Sequence, residues 1–166
     1  MTSPITPHSI EIRSASIEDA ALLAELNDSV HSVHVLHRPD VFRGGPAHDD
    51  LVPIFEAHLA REDARVLVAL SSGRPVGYAL ALIVDRPGDA LMRPRTFVVL
   101  EHLAVVAEAA RSGVGTALLD AVRAVGGAAG CSHLVTDVWD GNKEAQAFYA
   151  AAGFAPMVHR LEQPLR

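Results

Sequence analysis

Hydrophobic and polar positions alternate first at Ser9–Arg13 (SIEIR), which predicts an opening strand. Ser16 and Asp19 then form a capping-box-like start, and the repeat Ala20, Leu22, Leu23, Leu26, Val30 predicts an amphipathic helix. The repeat fails from His31 to Asp50, where His37-Arg-Pro-Asp40 and Arg43-Gly-Gly-Pro46 read as loop chemistry. A second helix is expected from Asp49 or Asp50 to Arg61, burying Leu51, Ile54, Phe55 and Leu59. Arg65–Leu70 and Val76–Val84 read as the arms of a hairpin turning at Ser71-Ser72-Gly73-Arg74. Asp85–Arg95 is a loop, and Thr96–Val105 a long strand. A helix follows, with Leu118, Leu119, Val122 and Val125 on one face and an end near Gly126-Gly127. Cys131–Val138 contains a strand, Asn142–Ala152 a helix stopped by Gly153, and Phe154–Leu161 a final strand. The resulting order is β-α-α-β-β-β-α-β-α-β, with helices on both faces of a mixed sheet.

The chain has 166 residues, 49% of them hydrophobic, enough for one domain with a substantial core. Residues 1–8 read as a disordered lead and 9–166 as the domain. No apolar run nears the roughly 20 residues of a membrane span, and the N-terminus does not read as a secretory signal. One cysteine, Cys131, excludes an internal disulfide and fits a reducing cytoplasm, the expected location. It reads as a packed small residue before a strand. A net charge of −6 argues against a broad nucleic-acid surface and mildly favours a cationic acceptor. His31, His34 and His37, with His48 and His58 beyond, have no nearby cysteine or dense acidic cluster, so no metal is expected.

The most informative stretch is Leu103–Ala117 (LAVVAEAARSGVGTA). A strand ends at Val105, a loop follows, and Gly113-x-Gly115 opens a helix. Glycines let the backbone pass close to a phosphate, and a helix N-terminus adds partial positive charge. A nucleotide-binding P-loop is disfavoured, because Thr116-Ala117 stands where Lys-Ser/Thr is needed.

The second pattern is Val138-x-x-x-Asn142-x-x-Ala145-x-x-Phe148-Tyr149-x-x-x-Gly153-Phe154. Asn142 is placed to cap the helix or reach a ligand amide, and Tyr149 lies two turns along the same face. With Leu103-Ala104-Val105, Gly113-x-Gly115, and Gly73 and Val76-Gly77-Tyr78 in the hairpin, this pattern resembles the GNAT superfamily of acyl-CoA-dependent N-acetyltransferases. One departure is Ala110 at the usual Arg/Gln position, with Arg111 one residue later.

The resemblance implies an α/β (α+β) fold, a mostly antiparallel central sheet of about six to seven strands flanked by four helices. It implies acetyl transfer from acetyl-CoA to a primary amine by direct attack, with no metal. Leu103, Ala104 and Val105 would bind the pantetheine arm, and Arg111, Ser112, Gly113, Val114, Gly115 and Thr116 the pyrophosphate. Asn142, Ala145, Phe148 and Tyr149 would complete the cofactor site, Tyr149 also protonating the leaving thiolate. Glu101 is expected to take the amine proton, since it should share the face of Leu103, with His102 pointing away unless a bulge intervenes; His102 and water remain alternatives. The segment joining the first two helices would form one acceptor wall, making His34, His37 and Phe42 substrate-binding candidates, with Trp139 after the fifth strand as a fourth. The acceptor is a small-molecule, protein or peptide amine. A homodimer is frequent in such families, and neither nucleic acid nor membrane is expected as a partner. The alternative is a catalytically silent acyl-CoA-binding regulatory module.

Overall fold

The computed structural model describes residues 9–165, so the expected lead over 1–8 lies outside the described residues. Its elements are β1 (Ile10–Ser14), α1 (Ala20–His37), α2 (His48–Leu59), β2 (Ala64–Ser71), β3 (Arg74–Arg86), β4 (Arg95–Val105), α3 (Val114–Ala128), β5 (Leu134–Thr136) and α4 (Lys143–Ala151). The strands form one sheet in the order β1-β2-β3-β4-β5, antiparallel except for the parallel pair β4–β5.

Local chemistry sets most boundaries. At the entry to α1, the Ser16 N–H donates to the Asp19 carboxylate at 2.7 Å. Asp19 also takes two hydrogen bonds from Arg13, both 2.8 Å, which hold its carboxyl down at about 2. The β2–β3 hairpin turns on Ser72 and Gly73, both left-handed at φ 51° and 78°, the backbone a twisted two-residue turn demands. Gly77 on β3 is required by close approach, since a Cβ there would land on the Ala104 carbonyl oxygen of β4.

The sheet separates two apolar layers. On one face α3 packs Val114, Leu118, Leu119 and Val122 against Leu67, Ala69, Ala79, Ala81, Val98 and Leu100. On the other, α1 (Ala20, Leu23, Ala24, Leu26) and α2 (Phe55) cover Val66, Val68, Tyr78, Leu80 and Ala104.

Three expectations need correction. The sheet has five strands, not six to seven, because Phe154–Leu161 forms no strand. Its apolar residues find no strand partner, and Met157, Val158 and Leu161 stay exposed. The irregular stretch after His31 is shorter than expected: α1 continues to His37, so His31, His34 and His37 stand on its last two turns. The apolar repeat fades there because that helix face meets a loop and not the core. Ile54 on α2 is half exposed, not buried.

Candidate active site

The site starts where two parallel strands part. β4 and β5 pair at Val98–Leu134, Val99–Val135 and Leu100–Thr136, and no further. β4 runs on to Val105, leaving one backbone edge of residues 101–105 without a strand neighbour among the described residues. Thr136 marks the fork, its hydroxyl donating to the Leu100 carbonyl at 3.0 Å.

The glycine loop lies at the end of this open edge. Gly113 adopts φ 90° as the residue before α3, and Arg111 adopts φ 59°. These left-handed residues curl the chain and turn successive N–H groups toward one side. The first-turn N–H groups of α3 have no helical acceptor. Ser112 donates its hydroxyl hydrogen to the Ala109 carbonyl at 2.6 Å, which leaves its N–H as the donor it can offer an anion. Arg111 is exposed and has no ion pair among the described residues, so Ala110 at the usual Arg/Gln position leaves a basic side chain nearby. The side chains of Ala104 and Val114 are buried in the core, which restricts these two residues to backbone contacts.

Helix α4 forms the far wall. The Asn142 side chain accepts from the Ala145 N–H at 3.0 Å, capping the helix. A Cβ on Gly115 would sit 3.5 Å from the Phe148 ring, so α3 and α4 approach closely here and a side chain larger than a methyl would press on Phe148. Tyr149 packs between Phe148 and Phe154, ring centroids 5.1 Å away on each side. Burial pushes its hydroxyl pKa up, and hydrogen bonding with the Thr136 side chain opposes this in part. Tyr149 therefore keeps its proton, and it keeps it beside the fork.

On β4 the expected geometry is overturned. A bulge lies between the pairs Leu80–His102 and Ala81–Leu100, with Glu101 as the extra residue. Leu100 and Leu103 both pack on the α3 face. Glu101 and His102 both turn toward α1 and α2: Glu101 acts electrostatically on His58 and Arg61, and His102 meets Phe55 at a centroid distance of 6.3 Å. Glu101 thus does not share the face of Leu103, and the two candidate proton acceptors stand side by side.

The acceptor-wall candidates do come together. His34 and Phe42 rings lie 4.9 Å apart, Phe42 meets Trp139 edge-on at 5.8 Å, and Arg38 covers the Trp139 ring at 4.7 Å. His37 lies against Gly141, where a Cβ would stand 3.1 Å from its Nδ1. Burial, with the fields of His31 and His37, pushes the His34 pKa down. Arg38 is bound by Asp40 at 2.8 Å and Glu162 at 3.1 Å. Cys131, by contrast, lies away from this cluster, half-buried near Gly126, and burial pushes its thiol up. Sequence reasoning missed Thr136, His58, Tyr78 and Asn27. Only Tyr78 carried a signal, as the residue after the hairpin's Val-Gly.

One α/β domain thus brings together a fork between parallel strands, a glycine loop at a helix start and a tyrosine held protonated by burial. The profile of the acetyltransferase (GNAT) family matches residues 30–154, and the chain belongs to that family. No curated protein sequence matches the chain. Among solved structures, a tetramutant of the BH1408 protein from Bacillus halodurans is similar, with a TM-score of 0.86 and 28% identity over 93% of this chain and 99% of that one. The aminoglycoside N-acetyltransferase AAC(6')-Iy in complex with CoA has a TM-score of 0.73 and 21% identity, covering 99% of each chain. An aminoglycoside acetyltransferase, meta-AAC0020, from an uncultured soil metagenomic sample, in complex with sisomicin, has a TM-score of 0.70 and 16% identity, covering 95% of this chain and 97% of that one. At these last two identities the likeness is one of fold.

Proposed function

We propose that this protein transfers an acetyl group from acetyl-CoA to a primary amine of a small molecule. The carrying observation is the opening of β4 from β5 after Leu100 and Thr136, with Tyr149 at the fork and the glycine loop at its far end. Bound acetyl-CoA supplies an acetyl group already activated as a thioester. The N–H groups of Arg111–Thr116 hold its pyrophosphate, while the free edge of Leu103–Val105 hydrogen-bonds the pantetheine amides. Ala145 and Phe148 line the arm, and Asn142 holds the start of α4 in place. His34, His37, Phe42 and Trp139 form the wall against which the amine rests.

The amine attacks directly: its nitrogen bonds to the acetyl carbon and the carbon–sulfur bond breaks. Tyr149 gives its proton to the departing sulfur and regains one from solvent. The surplus proton on nitrogen leaves through water to Glu101, whose carboxylate is exposed on the bulge.

Isothermal titration with acetyl-CoA, CoA and ATP tests the pocket, and thiol release with an aminoglycoside, a polyamine, a simple monoamine and a lysine peptide tests turnover. Binding of both CoA species without ATP, followed by thiol release, is the expected result. A folded protein that ignores acetyl-CoA removes the reading, and binding without thiol release from any amine removes the enzymatic part.

A further inference from the structure

Tyr78 is fully buried on β3, and its hydroxyl has two neighbours: Asn27 Oδ1 at 3.0 Å and His102 Nδ1 at 2.9 Å. A phenol has one proton to donate, and an amide oxygen only accepts. The Tyr78 proton therefore goes to Asn27, which is itself buried. Burial pushes the Tyr78 pKa up, so the hydroxyl does not ionise and its oxygen is left as an acceptor. The hydrogen in the second contact must then come from His102 Nδ1.

A neutral imidazole with hydrogen on Nδ1 carries its lone pair on Nε2. Burial, then the fields of His58, His34 and His31, push His102 down to about 4, so the ring stays neutral near pH 7. Nε2 has no hydrogen-bond partner among the described residues, and the His102 side chain belongs to a residue that is only partly buried. His102 stands beyond the fork, on the face turned to α1 and α2. Around it are His58 on α2, His31 and His34 on α1, and Glu101 on its own strand, with Arg61, just past the end of α2, acting on His58 and Glu101.

We propose that His102 Nε2 accepts a hydrogen bond from the acceptor amine, and that Asn27 and Tyr78 are positioning residues that fix the tautomer in which it does so. This rests on the acetyl-transfer reading above. The contact aims the nitrogen lone pair away from the imidazole and toward the acetyl group. As the nitrogen–carbon bond forms and the carbon–sulfur bond breaks, Nε2 steadies the positive charge growing on nitrogen. The proton then leaves through water to Glu101, the adjoining residue of the bulge, and Tyr149 supplies the proton that sulfur needs.

Two measurements on the full-length protein test this. Two-bond 1H–15N spectra of the ligand-free protein, labelled in histidine, should show His102 with Nδ1 protonated and Nε2 bare between pH 5 and 8. Tyr78→Phe should give a mixture of tautomers. A wild-type ring protonated on Nε2 overturns the proposal.

The second measurement uses acetyl-CoA with the amine of the panel that the wild type acetylates fastest. His102→Asn keeps an N–H near the place of Nδ1 and loses Nε2, whereas His102→Gln places an amide oxygen near Nε2. The expected result is a fall in kcat/KM for the amine by about 10²-fold in the asparagine variant, partial recovery in the glutamine variant, and unchanged acetyl-CoA affinity in both. A folded His102→Asn at full kcat/KM overturns the proposal while leaving acetyl transfer intact. A wild type that releases no thiol is instead the failure of the reading beneath it, and the ligand-free spectra tell the two apart.

Discussion

Tyr149 is kept protonated by burial and stands at the fork, so its loss should affect the departing group and not cofactor binding. Tyr149→Phe should lower kcat by about 10²-fold with acetyl-CoA affinity unchanged, as measured by steady-state kinetics beside titration calorimetry. His102 gives a second prediction, concerning stability. Its folded pKa of about 4 lies below the ordinary 6.5, so the unfolded chain binds the proton more readily. Its contribution is complete above pH 6.5 and is lost as pH falls through the folded value, about 3 kcal/mol in all. Asp19 loses its contribution lower down, between 3.8 and about 2. Urea unfolding from pH 7 to pH 4 should therefore show a steep loss that His102→Gln flattens; equal slopes in the two proteins would contradict it. At this scale the sequence revealed residues whose neighbours are close in the chain. Asn142 caps the turn it starts, and Ser16 pairs with Asp19 three positions on. It did not reveal Tyr78 and Asn27, which lie far apart in the chain and meet only when α1 packs on the sheet.

Elements were legible where their periodicity came from the core. The helix after the glycine loop shows its buried face as Leu118, Leu119 and Val122, and the two apolar runs read as hairpin arms pair as β2 and β3. Two segments were misread because a local pattern does not show what a segment packs on. The last turns of α1 rest on Phe42 and Gly141, so their histidines carry no apolar repeat. Phe154–Leu161 has strand-like composition but forms no ladder with any strand of the sheet. The bulge at Glu101 was invisible because the residues on either side of it keep an ordinary apolar pattern. Two glycines give predictions for the elements they join. Gly77→Ala should drive β3 from β4 at Ala104 and destabilise the fold by about 2 kcal/mol, read by denaturant titration. Gly115→Asp should press a side chain against Phe148 and add a negative charge beside the phosphates. Acetyl-CoA affinity should fall at least tenfold while the circular dichroism spectrum is retained; unaltered affinity would remove the loop from the cofactor site.

For the molecule as a whole, the sheet is the common wall of both apolar layers, and the cofactor reading places the ligand against β4, which belongs to both. Occupation should therefore steady the entire fold. At acetyl-CoA concentrations 100 times Kd, the stabilisation is about 2.7 kcal/mol, or roughly 5–10 °C in Tm for a chain of this size. Differential scanning calorimetry with and without the ligand measures it, and ATP should give no such shift. The fork has one further consequence. Past Leu100 the sheet is a strand short, and the vacant place is framed by β4 on one side and by α4 beyond. Such a vacancy selects by spacing: it accepts a slender chain whose amides match those of a polypeptide, whatever that chain carries at its tip. The shape that would hold pantetheine thus says little about the acyl group it bears, and discrimination among acyl groups falls to the few side chains at the fork.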